Sequence, residues 1–321
     1  MRGRFPPPDH LHSEPVNLLP GAFNPAGPKE WLQFLDDAEI ETTVLYPTSG
    51  LCLGNTTNRD WAVAQCKAYN NWLHQEYMKR SPRFKGMALI PMQDPEEAVA
   101  ELRRAVVELG MPGAVLPGNG LSANLGAKQF WPIYKEADAL GCCLAVHGGA
   151  HHKFGLDTLE TFAPIHALGH PFAQLISCAG LIFNGVFDKF PRVRIAFLEG
   201  GIAWLQMALE RFDRSYETFM PYNPRGEMLQ LRPGESVSGY VKRLIAEDRF
   251  FVGCEGEEPT ISDAVRDLGN KAFIFSSDYP HEVNAERCKH EIEEIYENDG
   301  LSDDDKTAIL RENALRLYAL N

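Results

Sequence analysis

Seven short apolar strings recur along the chain, each followed by a longer segment, most of them of helical period. This alternation narrows the fold more than any other feature. The strings are residues 43–47, 86–91, 113–117, 143–147, 194–199, 250–255 and 273–278. None of them alternates polar with apolar side chains, as a sheet wetted on one face would. They read as parallel strands covered on both faces. Strand–helix repetition of this kind builds βαβ units, and 321 residues suit one α/β domain. The expected fold is therefore a distorted (β/α)8 TIM barrel spanning 1–321 as a single domain. Its eighth strand should lie at residues 5–12. There Pro6, Pro7 and Pro8 cannot donate ladder hydrogen bonds, so that strand is expected to be very short or irregular.

The helices announce themselves by their ends. At 94–110, Asp94 can cap, Pro95 takes the first helical position, acids fill the first turn and Gly110 stops the run. Residues 58–80, 128–140, 172–190 and 302–320 read similarly. The five tryptophans fall in helical segments, with core packing as the default. The stretch 219–233, rich in Pro, Gly and Asn, reads as an excursion loop.

A formal charge of −13 argues against nucleic acid as a partner. The acids at 291–297 and 303–305 read as a solvated helix face and a helix start. The sequence has no unbroken run of 18 apolar residues, so no membrane span is expected. Seven cysteines without a CxxC pair fit a reducing, cytoplasmic setting, most of them as small core fillers.

Polar chemistry gathers where the strings end. His147, Glu199, Glu255 and Asp278 close or follow four of them, the edge of a parallel barrel that hosts active sites. Ionisable groups at such positions are costly unless a cation or substrate engages them. His10 and His12 share one side of an extended segment, so both imidazoles can converge on one ion. With His147 and Asp278 they make three imidazoles and a carboxylate, a set for zinc, manganese or iron, with zinc as first expectation. Glu199 is a further candidate ligand, or else orients His147 from behind. Glu255, beside Glu257 and Glu258, reads first as a loop acid. Four histidines follow His147 within about twenty residues: His151, His152, His166 and His170. Each reads first as a loop or capping histidine, and His170, just before Pro171, is the best candidate among them for site chemistry. His281 is read either as a substrate contact or as a partner of Asp278. Cys254 reads as a buried thiol rather than a nucleophile.

These marks occur in a recognisable order: Asp9-His10-Leu11-His12-Ser13-Glu14-Pro15, Ala145-Val146-His147-Gly148-Gly149, the run 185–201, Ser276-Ser277-Asp278-Tyr279-Pro280-His281, and Asn313-Ala314-Leu315-Arg316-Leu317-Tyr318. In that order the chain resembles the amidohydrolase superfamily, in the branch that includes aminocarboxymuconate-semialdehyde decarboxylase. The resemblance implies a barrel with one or two divalent ions at its strand ends, a small-molecule substrate and a homodimer. It carries over His10 and His12 as first-strand ligands, His147 as a ligand, and Asp278 as ligand or base. Decarboxylases of this branch place a catalytic histidine where Glu199 stands, and a carboxylate takes that part near neutral pH only with a raised pKa. The first expectation is therefore a metal-dependent hydrolase of an amide, ester or lactone. Asp278 would act as base, and Glu199 would bind the metal or orient His147. Non-oxidative decarboxylation is the alternative, with Glu199 or His170 supplying the proton. A dinuclear iron or manganese oxygenase is a further alternative.

Overall fold

The computed structural model describes residues 25–149, 151–219 and 228–320. Eight strands appear: β1 (Thr43–Leu45), β2 (Phe84–Gly86), β3 (Ala88–Leu89), β4 (Gly113–Pro117), β5 (Cys143–His147), β6 (Arg194–Leu198), β7 (Phe250–Cys254) and β8 (Phe273–Phe275). Only Met87 separates β2 from β3, and its N–H donates to the Leu45 carbonyl, so the two read as one strand. All pairings are parallel: β1 with β2, then β3 through β8 in chain order. The seven apolar strings thus become seven consecutive parallel strands, in the order a (β/α)8 barrel requires. The segment expected to supply one more, residues 5–12, lies outside the described residues.

Strand parity sorts the side chains. Cys143 and Ala145 of β5, Ala196 and Leu198 of β6, Val115 of β4 and Phe251 of β7 join one buried cluster with Met87, Leu89 and Ile274. Their sequence neighbours Leu144, Val146, Ile195, Phe197, Phe250 and Val252 join the other, packed under the helices. A strand presents alternate residues to opposite faces, so His147 shares the face of Cys143 and Ala145. Asn70, fully buried, ties helix Arg59–Leu73 to β3 by bonding both the Leu89 N–H and carbonyl at 2.9 Å, and it donates to Glu101 at 2.7 Å.

Helix Pro95–Val107 starts where its signals place it, with Asp94 accepting from the Glu97 N–H. Ser302 and Asp305 form a capping box before the last helical run. Two expectations change. The helix placed at 172–190 begins ten residues earlier and runs Phe162–Phe183, with Pro171 in its interior. Its buried stripe of Ile165, Gly169, Ala173, Ser177 and Leu181 recurs every four residues, and that packing outweighs the one N–H that Pro171 lacks. This helix, with a mean hydropathy of 1.2, is long and apolar enough to cross a membrane. Half of that stretch is buried inside the molecule. Second, Trp61 and Trp72 are 60% and 49% exposed, not core, because helix Arg59–Leu73 turns Ala62, Cys66, Asn70 and Leu73 inward instead. All seven cysteines are free thiols and six are buried, Cys254 among them.

Candidate active site

The pairing register sets Pro117, His147 and Leu198 level across β4, β5 and β6. His147 therefore ends its strand on the inner face, buried, beside the end of β6. By parity Glu199 should turn away, since Ala196 and Leu198 already hold the inner face. Its backbone instead adopts the left-handed conformation, φ 58°, which interrupts the alternation. The carboxylate then meets His147, with Oε2 2.7 Å from Nε2 and Oε1 3.4 Å from the Nε2 of His170. Asp278, three residues past the end of β8, is also left-handed at φ 52°. Non-glycine residues held in this region cluster at functional sites. Gln174 secures the end of β6 from the helix, donating to the Leu198 carbonyl.

The His147 Nδ1 faces the carbonyl of Gly148 at 2.5 Å, which leaves Nε2 as the nitrogen turned to the site. Across the same cleft, about 1110 Å³ in volume, stand Asp278 and His281. The His281 Nδ1 lies 2.8 Å from Asp278 Oδ1 and its Nε2 3.1 Å from the Thr48 hydroxyl. His281 is thus the partner of Asp278, one of the two readings its sequence position allowed.

Electrostatics separates these histidines. Burial lowers the His147 pKa, but the Glu199 charge and hydrogen bond outweigh it and hold the imidazole above its ordinary value. His281 follows the same pattern, with burial overcome by Asp278. Burial takes His170 down to about 3, aided by the neighbouring imidazoles and opposed by Glu199. His170 is therefore neutral near pH 7, so its approach to Glu199 is not an ion pair and it is a poor proton donor. Burial, then His166, lowers His151 to about 4. Burial raises the Glu199 carboxyl, yet His147 more than reverses this and the net direction is down. Glu255, at the end of β7, is raised to about 7 by burial, then by Glu258, Glu291, Asp278 and Glu199.

His147, His170 and Glu199 each offer one ligand atom within 4.8 Å of the others, as do Asp278, His281 and Glu282. Imidazole and carboxylate together suit a divalent ion such as manganese, iron or zinc. A cation between His147 and Glu199 would take the place of the proton they share. Of the five ligands read from the sequence, His147 and Glu199 meet directly, and Asp278 stands across the cleft, turned to His281. His10 and His12 lie outside the described residues. Thr48 and Tyr46 were not singled out in the sequence. Tyr46, just past β1 and inside the first apolar string, has its ring 6.2 Å from that of His147, and Thr48 directly follows that string.

The amidohydrolase family model matches residues 8–320. A γ-resorcylate decarboxylase of Rhodococcus jostii is 27% identical over 90% of this chain and 87% of its own length. A 2-amino-3-carboxymuconate-6-semialdehyde decarboxylase of Dictyostelium discoideum is 24% identical over 89% of this chain and 74% of its own. Among solved structures, a dihydroxybenzoic acid decarboxylase of a Polaromonas species, with bound manganese and the inhibitor 2-nitroresorcinol, superimposes with a TM-score of 0.68. That match has 23% identity and covers 91% of this chain and 85% of that one. The names favour decarboxylation, the alternative reading of the sequence, over hydrolysis.

Proposed function

Because the chain belongs to the amidohydrolase family, we propose that it is a metal-dependent carboxy-lyase releasing CO2 from a small aromatic or unsaturated carboxylic acid. The observation that carries this reading is that relatives aligned over about nine-tenths of the chain are decarboxylases. The manganese in the Polaromonas structure supports manganese rather than zinc here.

His147, Glu199 and Asp278, with His10 and His12, are the residues proposed to hold the ion. When bound, it would anchor the substrate's oxygens and stabilise negative charge developing on them. The residues of the chain do the rest. Cleavage of the bond to the carboxyl carbon leaves its electron pair on the neighbouring carbon, and CO2 departs. That carbon then needs one proton. The Asp278–His281 pair is proposed to hold it, since the two meet at 2.8 Å in the cleft and the Asp278 carboxylate raises the His281 pKa. Glu199 stands where the sequence resemblance expected a catalytic histidine, and its carboxylate lies 2.7 Å from the His147 Nε2, close enough for both to reach one ion. The test is manganese-loaded enzyme with 2,6-dihydroxybenzoate and unsaturated carboxylic acids in D2O. Bicarbonate release with one deuterium at the vacated carbon is expected, reduced about 10²-fold or more in Asp278→Asn. Turnover of esters, amides or lactones with no CO2 from any acid would return the assignment to hydrolysis.

A further inference from the structure

Beyond Glu199, the loop after β5 meets the helix Phe162–Phe183 and brings three imidazoles together. His166 and His170 lie four residues apart on one helix face, the spacing by which helical histidines share an ion. His151 comes from the loop and crosses them. Ring centroids are 4.4 Å apart for His151 and His170, 5.5 Å for His166 and His170, and 5.6 Å for His151 and His166. One ring nitrogen from each lies within 4.8 Å of the other two. Three points that close share a centre no more than about 2.8 Å from each, against ~2.1 Å for a metal–imidazole bond. Small side-chain rotations cover the difference.

The surroundings favour such an occupant. His151 and His170 are only 5% and 7% exposed, and the Nδ1 of each is buried without a hydrogen-bond partner. Buried polar nitrogens rarely go unpaired without a reason. Close approach also depends on two glycines. A Cβ on Gly169 would strike the His151 ring, and one on Gly148 the His170 ring. His166 is exposed and opens the trio to solvent. Glu199 stands on the far side of His170, its Oε1 3.4 Å from His170 Nε2.

We propose that His151, His166 and His170 form a second cation site, beside the first, for a borderline divalent ion of the zinc class. An all-imidazole set selects zinc, cobalt, nickel or copper over magnesium and calcium. Three protein ligands leave a fourth position for water or a ligand group. The site stands apart from the carboxy-lyase reading and can fail without it.

Cobalt(II) titration of the chelator-stripped full chain reads the site directly, by equivalents bound after gel filtration and by visible d–d absorption. Wild type is expected to bind two equivalents. His166→Ala, altered at a solvent-exposed position, and His151→Phe should each bind one and lose the same absorption band. Asp278→Asn should keep that band. Circular dichroism matching wild type establishes that each variant is folded, and the two histidine variants check one another. A wild-type stoichiometry that stays the same in both histidine variants, whether one equivalent or two, overturns the proposal. Neither result touches manganese-dependent CO2 release, which is assayed separately.

Discussion

Replacing Glu199 by Gln removes one charge and keeps the side chain's shape, so it isolates what the carboxylate does to His147. In the metal-free protein burial pushes the imidazole pKa down, and the carboxylate 2.7 Å away more than restores it. A hydrogen bond to a charged group contributes about 1.5–3 kcal/mol, and about 1.36 kcal/mol corresponds to one pH unit. His147 in Glu199→Gln should therefore titrate about 1 to 2 pH units lower than in wild type. Its folded pKa lies above the unfolded value, so its stabilisation is full below that value and is lost as pH rises through the folded one. Glu199 is the reverse case: its folded pKa is depressed, and its contribution is lost as pH falls through it. The pair thus contributes most between the ordinary carboxylate and imidazole values. Near pH 6 the variant should be less stable by about 1.5–3 kcal/mol, with a smaller deficit at pH 8. Histidine Cε1–H titration by NMR, with urea unfolding at both pH values on chelator-treated protein, measures both effects. An unmoved His147 midpoint, or a larger deficit at pH 8 than at pH 6, would refute the reasoning.

Asn70→Ala strands the Leu89 N–H and carbonyl and one Glu101 contact, so urea unfolding should show a loss of about 3–5 kcal/mol, with under 1 kcal/mol counting against the tie to β3. Gly113→Ala would drive a Cβ into the Cys143 carbonyl of the paired strand, and about 3 kcal/mol or more should be lost; a melting curve like wild type would show that β4 and β5 can part. Glu255 should titrate near pH 7 by carboxyl-selective NMR, and Glu258→Gln should lower that midpoint by removing its nearest acid. Because its folded pKa is raised, Glu255 favours folding below the ordinary carboxylate value and ceases to as pH climbs through about 7.

How much of this could be read from the residues varies with how local the signal is. Seven strands and their order were legible because a parallel strand buried on both faces must be apolar throughout, whatever its partners. His147 and Asp278 stood out as candidates for a related reason: a titratable group closing such a string is costly without a use. The helix carrying His170 was misplaced because Pro171 is a local stop signal, and only packing against the sheet overrides it. Glu199 was identified as a candidate while its role stayed open between metal ligand and partner of His147.

The sequence alone therefore determined the architecture and which strand ends carry titratable groups, since burial writes itself into composition residue by residue. Tertiary structure decided what those groups meet. The left-handed turn at Glu199 brings its carboxylate onto His147, and the crossing of a loop over a helix gathers His151, His166 and His170. Both depend on register and approach between segments far apart in the chain, and no local pattern encodes a distance.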